Sequence, residues 1–169
     1  MIVFDLDGTL ADCEHRRHLV DISYNKDVKS WKPDWDSFFK SCDKDTPIQP
    51  VVDLWNQQIS LGMMDVHEIW SGRCESVREK TEQWLNYHLL CFNSNQLKMR
   101  PVGDFTPDDI LKERWLNQRC SDLITAQMEG YVPQKHGIDF VVDDRPKVVR
   151  MWRRRNIFVF DVNQSASEF

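Results

Sequence analysis

The stretch of sequence that decides the fold is MIVFDLDGT, residues 1–9, in which a short apolar strand runs directly into two acidic residues. Residues i and i+2 of an extended segment face the same side, so Asp5 and Asp7 are predicted to project towards one site. Gly8 lets the backbone turn sharply after them. Two solvated acids in a strand-end turn would give the same local pattern, so the rest of the chain has to decide.

Apolar strands alternate with helices along the chain. Strands are predicted at residues 2–4, 66–70, 97–102, 138–142 and 157–162, and helices at 34–41, 50–61, 75–89, 107–117 and 146–154. Residues 120–137 are ambiguous between helix and loop. Such alternation is typical of an α/β fold, a Rossmann-like parallel sheet flanked by helices on both faces. Ligands of these sheets bind at the carboxyl ends of the strands.

Residues 11–49 interrupt the alternation. They contain the large aromatic side chains of Trp31, Trp35, Phe38 and Phe39 and are therefore predicted to be ordered. We expect one domain over residues 1–169, with residues 11–49 forming a small helical cap insert over the carboxyl edge of the sheet, a position typical of functional lids. Trp31 and Trp35 are open to two interpretations, either stacking on a base or sugar, or packing in a small core of the insert.

A second acidic pair, Asp143 and Asp144, follows the apolar residues 140–142. The carboxyl ends of parallel strands meet at one edge, so these acids are expected to approach Asp5 and Asp7. Several converging carboxylates repel one another unless a cation lies among them. Oxygen ligands without His or Cys favour Mg²⁺.

Two further segments offer phosphate-binding groups. Ser71 supplies a hydroxyl, and Gly72 exposes backbone N–H groups where a helix is predicted to begin, an arrangement typical of phosphate sites. Taken alone, Ser71-Gly72-Arg73 is a weak signal, because turns and helix caps look the same. Lys112 lies on the next predicted helix, where an isolated lysine is more often a surface residue.

Taken together, DLDGT, WSGR, Lys112 and VVDD occur in the order of the four motifs of the haloacid dehalogenase (HAD) superfamily, which the chain resembles. The resemblance implies that Asp5 is the nucleophile, forming an aspartyl-phosphate, and that Asp7 is the general acid and base. It implies that Lys112 and Ser71 bind the transferring phosphoryl group. It also implies a Mg²⁺ site made of Asp5, the backbone carbonyl of Asp7, Asp143 and the adjacent Asp144.

A narrower resemblance extends beyond these motifs. The segments DDRPKVVRMWRRRNIFVFDV (143–162), TPDDILKE (106–113) and the closing SEF (167–169) are similar to the 3′-phosphatase domain of bacteriophage polynucleotide kinase. This resemblance implicates five more positions in substrate or phosphate binding: Arg16, Gly72, Arg73, Asp108 and Arg145. No GxxxxGK[ST] phosphate loop occurs in the sequence, so kinase activity is not expected.

Composition limits the partners. The formal net charge is −5, which argues against tight binding along a nucleic-acid backbone. The arginines of Arg153-Arg154-Arg155 could form a local nucleic-acid patch or could simply follow a helix. No apolar run approaches the ~20 residues of a membrane span. Five widely spaced cysteines with no CxxC pair predict free thiols and a cytoplasmic protein, in the host cytoplasm if the chain is phage-encoded.

These features predict a Mg²⁺-dependent phosphomonoester hydrolase, with a 3′-phosphorylated nucleic-acid end as the expected substrate. Hydrolysis of free nucleotide or deoxynucleotide monophosphates is the alternative, and a non-catalytic phosphate-binding module is a third interpretation. No membrane association and no obligate protein partner are expected.

Overall fold

The structure, a computed structural model, describes residues 1–24, 30–62, 67–128 and 137–163. A parallel sheet of five strands forms its centre, in the order β5-β4-β1-β6-β7. Those strands are β1 (Ile2–Phe4), β4 (His67–Cys74), β5 (Leu97–Arg100), β6 (Phe140–Asp143) and β7 (Val159–Asp161). The α/β fold with a parallel sheet, predicted from the alternation, is confirmed.

Six α-helices and a second, two-stranded sheet lie within the described residues. The small sheet pairs β2 (Ala11–Asp12) with β3 (Thr46–Pro47) in antiparallel orientation. The helices are α1 (Glu14–Arg17), α2 (Trp35–Lys40), α3 (Gln49–Ser60), α4 (Arg78–His88), α5 (Asp108–Met128) and α6 (Pro146–Arg154). None of the helices in these ranges is long and apolar enough to cross a membrane.

Strand alternation divides the core into two layers. Ile2 and Phe4 of β1 point into one layer, which packs against α3 and α4 through side chains such as Trp55 and Leu85. Val3 points into the other layer, which packs against α5 and α6. Because both faces of β1 are buried, its carboxyl end is fixed at the middle of the sheet edge, where Asp5 follows.

Backbone hydrogen bonds hold the two ends of the insert together. The β2–β3 pairing joins its two ends, and the backbone N–H of Ile48 donates to the carbonyl of Leu10 at 2.8 Å. Between these strands lie α1, α2 and two short 3₁₀ turns at Ile22–Tyr24 and Cys42–Lys44, while residues 25–29 fall outside the described ranges. Within its described residues the insert therefore consists of short helical segments, connecting loops and this pair of short strands. Its role as a cap stays a prediction.

Several predicted boundaries were wrong. The strand predicted at 66–70 runs instead over His67–Cys74, so the Ser71-Gly72-Arg73 motif lies within its last residues rather than after it. The helix predicted at 107–117 continues to Met128, because the sequence offers no glycine or proline stop before Gly130. The helix predicted at 75–89 begins as a 3₁₀ turn and becomes α-helical only at Arg78.

Candidate active site

The chain turns tightly after β1. The backbone N–H of Asp5 still donates to the carbonyl of Val142 at 2.9 Å, in continuation of the sheet. The Leu6 carbonyl then accepts from the N–H groups of Thr9, Leu10 and Ala11. Gly8 adopts φ +92, and a Cβ there would lie 2.2 Å from a carboxylate oxygen of Asp144. Glycine is therefore required both for the backbone conformation and for the approach of Asp144.

Three carboxylates meet at the ends of β1 and β6, as expected. Asp5, Asp143 and Asp144 each offer an oxygen, and these atoms lie within 4.8 Å of one another. Lys112 reaches into the cluster from α5, where its Nζ donates to Asp5 Oδ1 at 2.5 Å and to Asp143 Oδ2 at 2.8 Å. Asp143 also accepts from the indole N–H of Trp152 at 3.4 Å. Lys112 is thus a site residue rather than a surface lysine.

Burial and mutual repulsion shape the titration of this cluster. Burial raises the pKa of Asp5 to about 6, although the charge of Lys112 opposes that shift. Burial, together with the charges of Asp5 and Asp143, raises the pKa of Asp144 to about 8. Burial alone would lower the pKa of Lys112, but Asp143 and Asp5 outweigh it and hold that pKa above its ordinary value. With all three carboxyls ionised, the single ammonium of Lys112 leaves a surplus of negative charge.

This donor set fits Mg²⁺. The three carboxylates supply only oxygen ligands, and within the described residues they form the one cluster of acidic, His or Cys side chains able to hold an ion. The side chain of Asp7 lies outside this cluster, so any contribution of Asp7 would come from its backbone carbonyl. Asp5, Asp143 and Asp144 are the side chains placed to hold the ion.

Asp7 faces a different set of partners. Its Oδ1 accepts from Arg16 Nη2 at 2.5 Å and from Arg73 Nη2 at 2.6 Å. Burial would raise the pKa of Asp7, but the two guanidinium groups outweigh burial and hold that pKa below its usual range. Arg16 and Arg73 were expected to bind substrate phosphate. In this structure they hold Asp7 instead, and direct contact with substrate stays a prediction.

Asp45 completes this group and was missed by the sequence analysis. Its Oδ1 accepts from Arg16 Nε at 2.7 Å, and its Oδ2 accepts from Arg16 Nη2 at 2.6 Å and from Arg73 Nη2 at 2.8 Å. His15 Nε2 lies 3.0 Å from Asp45 Oδ1. The β2–β3 pairing brings Asp45 beside Arg16, a long-range contact for which the local sequence gives no signal.

The end of β4 carries the serine motif. Ser71 is fully buried, and its Oγ accepts from the backbone N–H of Arg73 at 3.1 Å. A Cβ on Gly72 would lie 2.5 Å from Asp108 Oδ1, so Gly72 allows the start of α5 to approach the strand. The motif is therefore held against α5, which carries Lys112 one turn further on.

A chain of ion pairs forms the rim of the site. Asp108 accepts from Arg100 on one side and from Arg145 on the other. Arg100 also donates to the carbonyl of Gly72 at 2.8 Å and to the carbonyl of Thr106. Asp108 and Arg145 were expected to take part in substrate binding. Arg100 was not predicted, and its role is visible only once β4, β5 and α5 lie side by side.

The structure bears on two interpretations that the sequence left open, those of the arginine run at 153–155 and of Trp35. Arg154 and Arg155 pair with Glu113, which agrees with the simple structural interpretation of the arginine run. Trp35 stacks on Phe39 with ring centroids 5.9 Å apart, so it belongs to a small aromatic cluster of the insert, although it remains partly exposed. The closing SEF motif lies outside the described residues.

The fold and the clustered DLDGT, serine, lysine and aspartate motifs define a phosphatase of the haloacid dehalogenase superfamily. Residues 1–167 match the family model of the polynucleotide kinase PNKP phosphatase domain. The chain belongs to this family, which confirms the resemblance inferred from the sequence and its classification as a phosphatase.

The chain is also similar to a viral protein and to chains of solved structures. A protein of Autographa californica nuclear polyhedrosis virus, named for bifunctional polynucleotide kinase/RNA ligase activity, is 33% identical over 100 residues, which is 59% of this chain and 12% of that protein. Two structures of the Pnkp1/Rnl/Hen1 RNA repair complex contain a chain with 24% identity and TM-scores of 0.60 and 0.62, aligned over 95% and 98% of this chain.

The chain corresponds to less than half of the length of these relatives. The chain spans 45% and 43% of the two RNA-repair chains and 12% of the viral protein. A class C acid phosphatase from Bacillus anthracis, solved with tungstate bound, has 13% identity and a TM-score of 0.54, aligned over 95% of this chain and 65% of its own. At these identities the solved structures establish the fold.

Proposed function

We propose that the chain is a Mg²⁺-dependent phosphatase that removes 3′-phosphates from nucleic-acid ends through an aspartyl-phosphate on Asp5. The observation that carries this proposal is the meeting of Asp5, Asp143, Asp144 and Lys112 at the end of β1. Membership of the polynucleotide kinase phosphatase family supports the choice of a nucleic-acid substrate.

Asp5 is the carboxylate best placed to attack phosphorus. It follows the central strand, and Lys112 holds its Oδ1. In the first step the other oxygen forms a bond to phosphorus while the bond from phosphorus to the sugar oxygen breaks. In the second step water attacks phosphorus, the phosphorus bond to Asp5 breaks, and inorganic phosphate leaves. Mg²⁺ held by the three carboxylates would neutralise charge on the transferring group.

Lys112 and the serine motif would bind the phosphoryl oxygens. Lys112 already bridges Asp5 and Asp143, so it would lie beside a phosphoryl group transferred to Asp5 and would offer N–H donors to one of its equatorial oxygens. Ser71 and the backbone at Gly72 lie at the neighbouring strand end. Together these groups favour the extra negative charge of the transition state.

Asp7 would move the proton. Arg16 and Arg73 keep it ionised, so it is in the form that can accept a proton from the attacking water. In the first step the sugar oxygen must gain a proton. The negative charge of a bound phosphoryl group raises the pKa of a neighbouring carboxyl, so substrate binding favours the protonated form of Asp7 that this step needs.

The proposed setting of the enzyme is the cytoplasm. All five cysteines, each in the described part of the chain, have free thiols, which is typical of a reducing compartment. We also propose that the insert at residues 11–49 forms a cap over the site, since Arg16 and Asp45 come from it. The absence of an obligate protein partner stays a prediction.

A substrate panel tests this function. We expect phosphate release from a 3′-phosphorylated oligonucleotide with Mg²⁺ and none with EDTA, and a kcat/KM higher than for thymidine 3′-monophosphate. If the nucleotide is hydrolysed as efficiently as the oligonucleotide, the nucleotidase alternative is favoured. If no common phosphomonoester releases phosphate with Mg²⁺, the chain is a binding module.

A further inference from the structure

We infer that Arg145, supported by Asp108 and Arg100, forms a second anion subsite that binds the phosphodiester next to the terminal phosphate of a nucleic-acid end. The inference rests on the proposed function and names the part of the site that would distinguish a polynucleotide from a free nucleotide. It depends on three observations about the rim, namely its position, its charge and its exposure.

The rim, formed by Arg100, Asp108 and Arg145, lies outside the cluster of Asp5, Asp143, Asp144 and Lys112. Asp108 and Lys112 are four residues apart on α5, so they share one face of the helix, about 6 Å apart along its axis. Lys112 reaches Asp5 and Asp143, whereas Asp108 lies nearer the helix start. The backbone N–H of Arg145 donates to Asp143 at 3.1 Å, but its guanidinium turns outward to Asp108. That guanidinium therefore lies beyond the carboxylate cluster.

Charge sets the rim apart from the two inner groups. Around Asp7, two aspartates face two arginines, so those charges balance. Around Asp5, three aspartates face one lysine, and a bound Mg²⁺ would balance them. At the rim, the two arginines 100 and 145 face the single carboxylate of Asp108. Of these three groups, the rim is the one with a net positive charge.

Exposure then identifies which arginine can bind. Arg16 and Arg73 are fully buried, and the Arg100 side chain is 12% exposed and held by backbone carbonyls. The Arg145 side chain is 51% exposed. A solvent-exposed ion pair contributes little stability, so an incoming phosphodiester can share or replace Asp108 as its partner. The planar guanidinium suits a phosphate, which it can bind through two hydrogen bonds.

This placement predicts that different residues bind the terminal phosphoryl group and the adjacent phosphodiester. Lys112, Ser71 and the Mg²⁺ carboxylates bind the terminal phosphoryl group, and Arg145 binds the next phosphate along the strand. Arg100 keeps Asp108 at the start of α5 when Arg145 turns to the substrate. A free 3′-nucleotide has no second phosphate, so Arg145 would contribute to polynucleotide substrates in particular.

Three substrates and two variants test the inference. The substrates are thymidine 3′-monophosphate, the 3′-phosphorylated dithymidine, and the same dinucleotide with an uncharged methylphosphonate linkage. The test variant is Arg145→Gln. The control is Arg154→Gln, which removes an exposed arginine that lies on the same helix and pairs with Glu113. The measured quantity is kcat/KM for each combination of protein and substrate, determined with Mg²⁺ at several salt concentrations.

We expect Arg145→Gln to lower the dinucleotide-to-mononucleotide ratio of kcat/KM about tenfold, a loss typical of one charged hydrogen bond. The ratio for the methylphosphonate dinucleotide should stay the same, as should both ratios in Arg154→Gln. The salt dependence of dinucleotide turnover should weaken by about 0.7 in log–log slope, the value for one phosphate contact on a single strand.

Two results would overturn the inference while leaving the proposed function intact. An equal loss on all three substrates would mean that Arg145 binds the terminal phosphate, and an unchanged ratio would mean that it binds no phosphodiester. Failure of the wild-type protein to release phosphate from any of the three would contradict the proposed function instead.

Discussion

The carboxylate of Asp45 and the guanidinium of Arg73 have no exposed surface and meet at 2.8 Å. Asp45 belongs to the insert and Arg73 to the end of β4, so their ion pair joins the insert to the sheet edge beside Asp7. Arg16 and Arg73 each bind both Asp7 and Asp45. The orientation of Asp7 therefore depends on a residue that is distant in sequence and does not touch it.

Replacing Asp45 by asparagine tests this dependence. Removing one partner of a buried ion pair leaves an uncompensated charge, so Asp45→Asn should lower the free energy of unfolding by about 3 kcal/mol in a urea titration. Asp43→Asn is the matched control, since Asp43 lies two residues earlier, in the 3₁₀ turn that Asp45 follows, but is exposed. It should change stability by at most about 0.5 kcal/mol.

Leaving-group dependence separates a positioning role of Asp45 from a purely structural one. If Asp45 orients Asp7, the loss of kcat/KM in Asp45→Asn should be larger for a 3′-phosphorylated oligonucleotide than for p-nitrophenyl phosphate, whose leaving group departs without a proton. An equal loss on both substrates would argue that Asp45 only supports the fold.

Glycine at position 8 can be tested against a matched glycine. Gly8 and Gly62 adopt φ +92 and +85, so alanine is strained at both and should lower stability by about 1 kcal/mol. At Gly62 nothing lies within 4 Å of the added Cβ, whereas at Gly8 it meets Asp144. We expect Gly62→Ala to retain phosphatase activity and Gly8→Ala to lose at least about 100-fold, since Asp144 is displaced. Equal activities would contradict the role assigned to this contact.

The metal-free protein should become less stable as pH rises. The pKa of Asp144 is about 8 and that of Asp5 about 6 in the fold, both above the value of about 4 in an unfolded chain. Between these limits the folded state binds more protons at these two carboxyls than the unfolded state, so the stability that they contribute is fully present below pH 4 and is lost towards pH 8. Urea unfolding in EDTA at pH 5.5 and pH 8 measures this slope.

Adding Mg²⁺ should remove most of the decrease in the free energy of unfolding between pH 5.5 and pH 8, because a bound divalent cation favours the ionised carboxylates. Asp144→Asn should flatten it in EDTA as well. The account is contradicted if the EDTA sample grows more stable from pH 5.5 to pH 8, or if Mg²⁺ leaves the slope unchanged.

The sequence predicted the five central strands and most of the cluster of carboxylates and Lys112, for a physical reason. Asp5 and Asp143 directly follow buried apolar strands, and neighbouring parallel strands bring their carboxyl ends together. Asp45 and Arg100 could not be predicted this way. Their importance comes from contacts between distant segments, which the local sequence does not indicate.

Side-chain direction at the end of β1 was also harder to predict. Strand alternation suggested that Asp5 and Asp7 face one site. The strand ends at Phe4, however, and the turn about Leu6 sends the two side chains to separate partners, Lys112 and the two arginines. Both acids lie at the same edge, but they belong to different charge clusters.

The central claim is that Asp5 forms a covalent phosphoryl intermediate. The most direct measurement is turnover of a 3′-phosphorylated oligonucleotide with Mg²⁺ by Asp5→Asn, with Asp53→Asn as an exposed-acid control and intact-mass analysis of acid-quenched protein. We expect wild type and Asp53→Asn to turn over and to carry one acid-stable phosphoryl group, and Asp5→Asn to do neither while remaining folded. Turnover by Asp5→Asn at the wild-type rate, with deamidation to aspartate excluded by mass, would contradict the account.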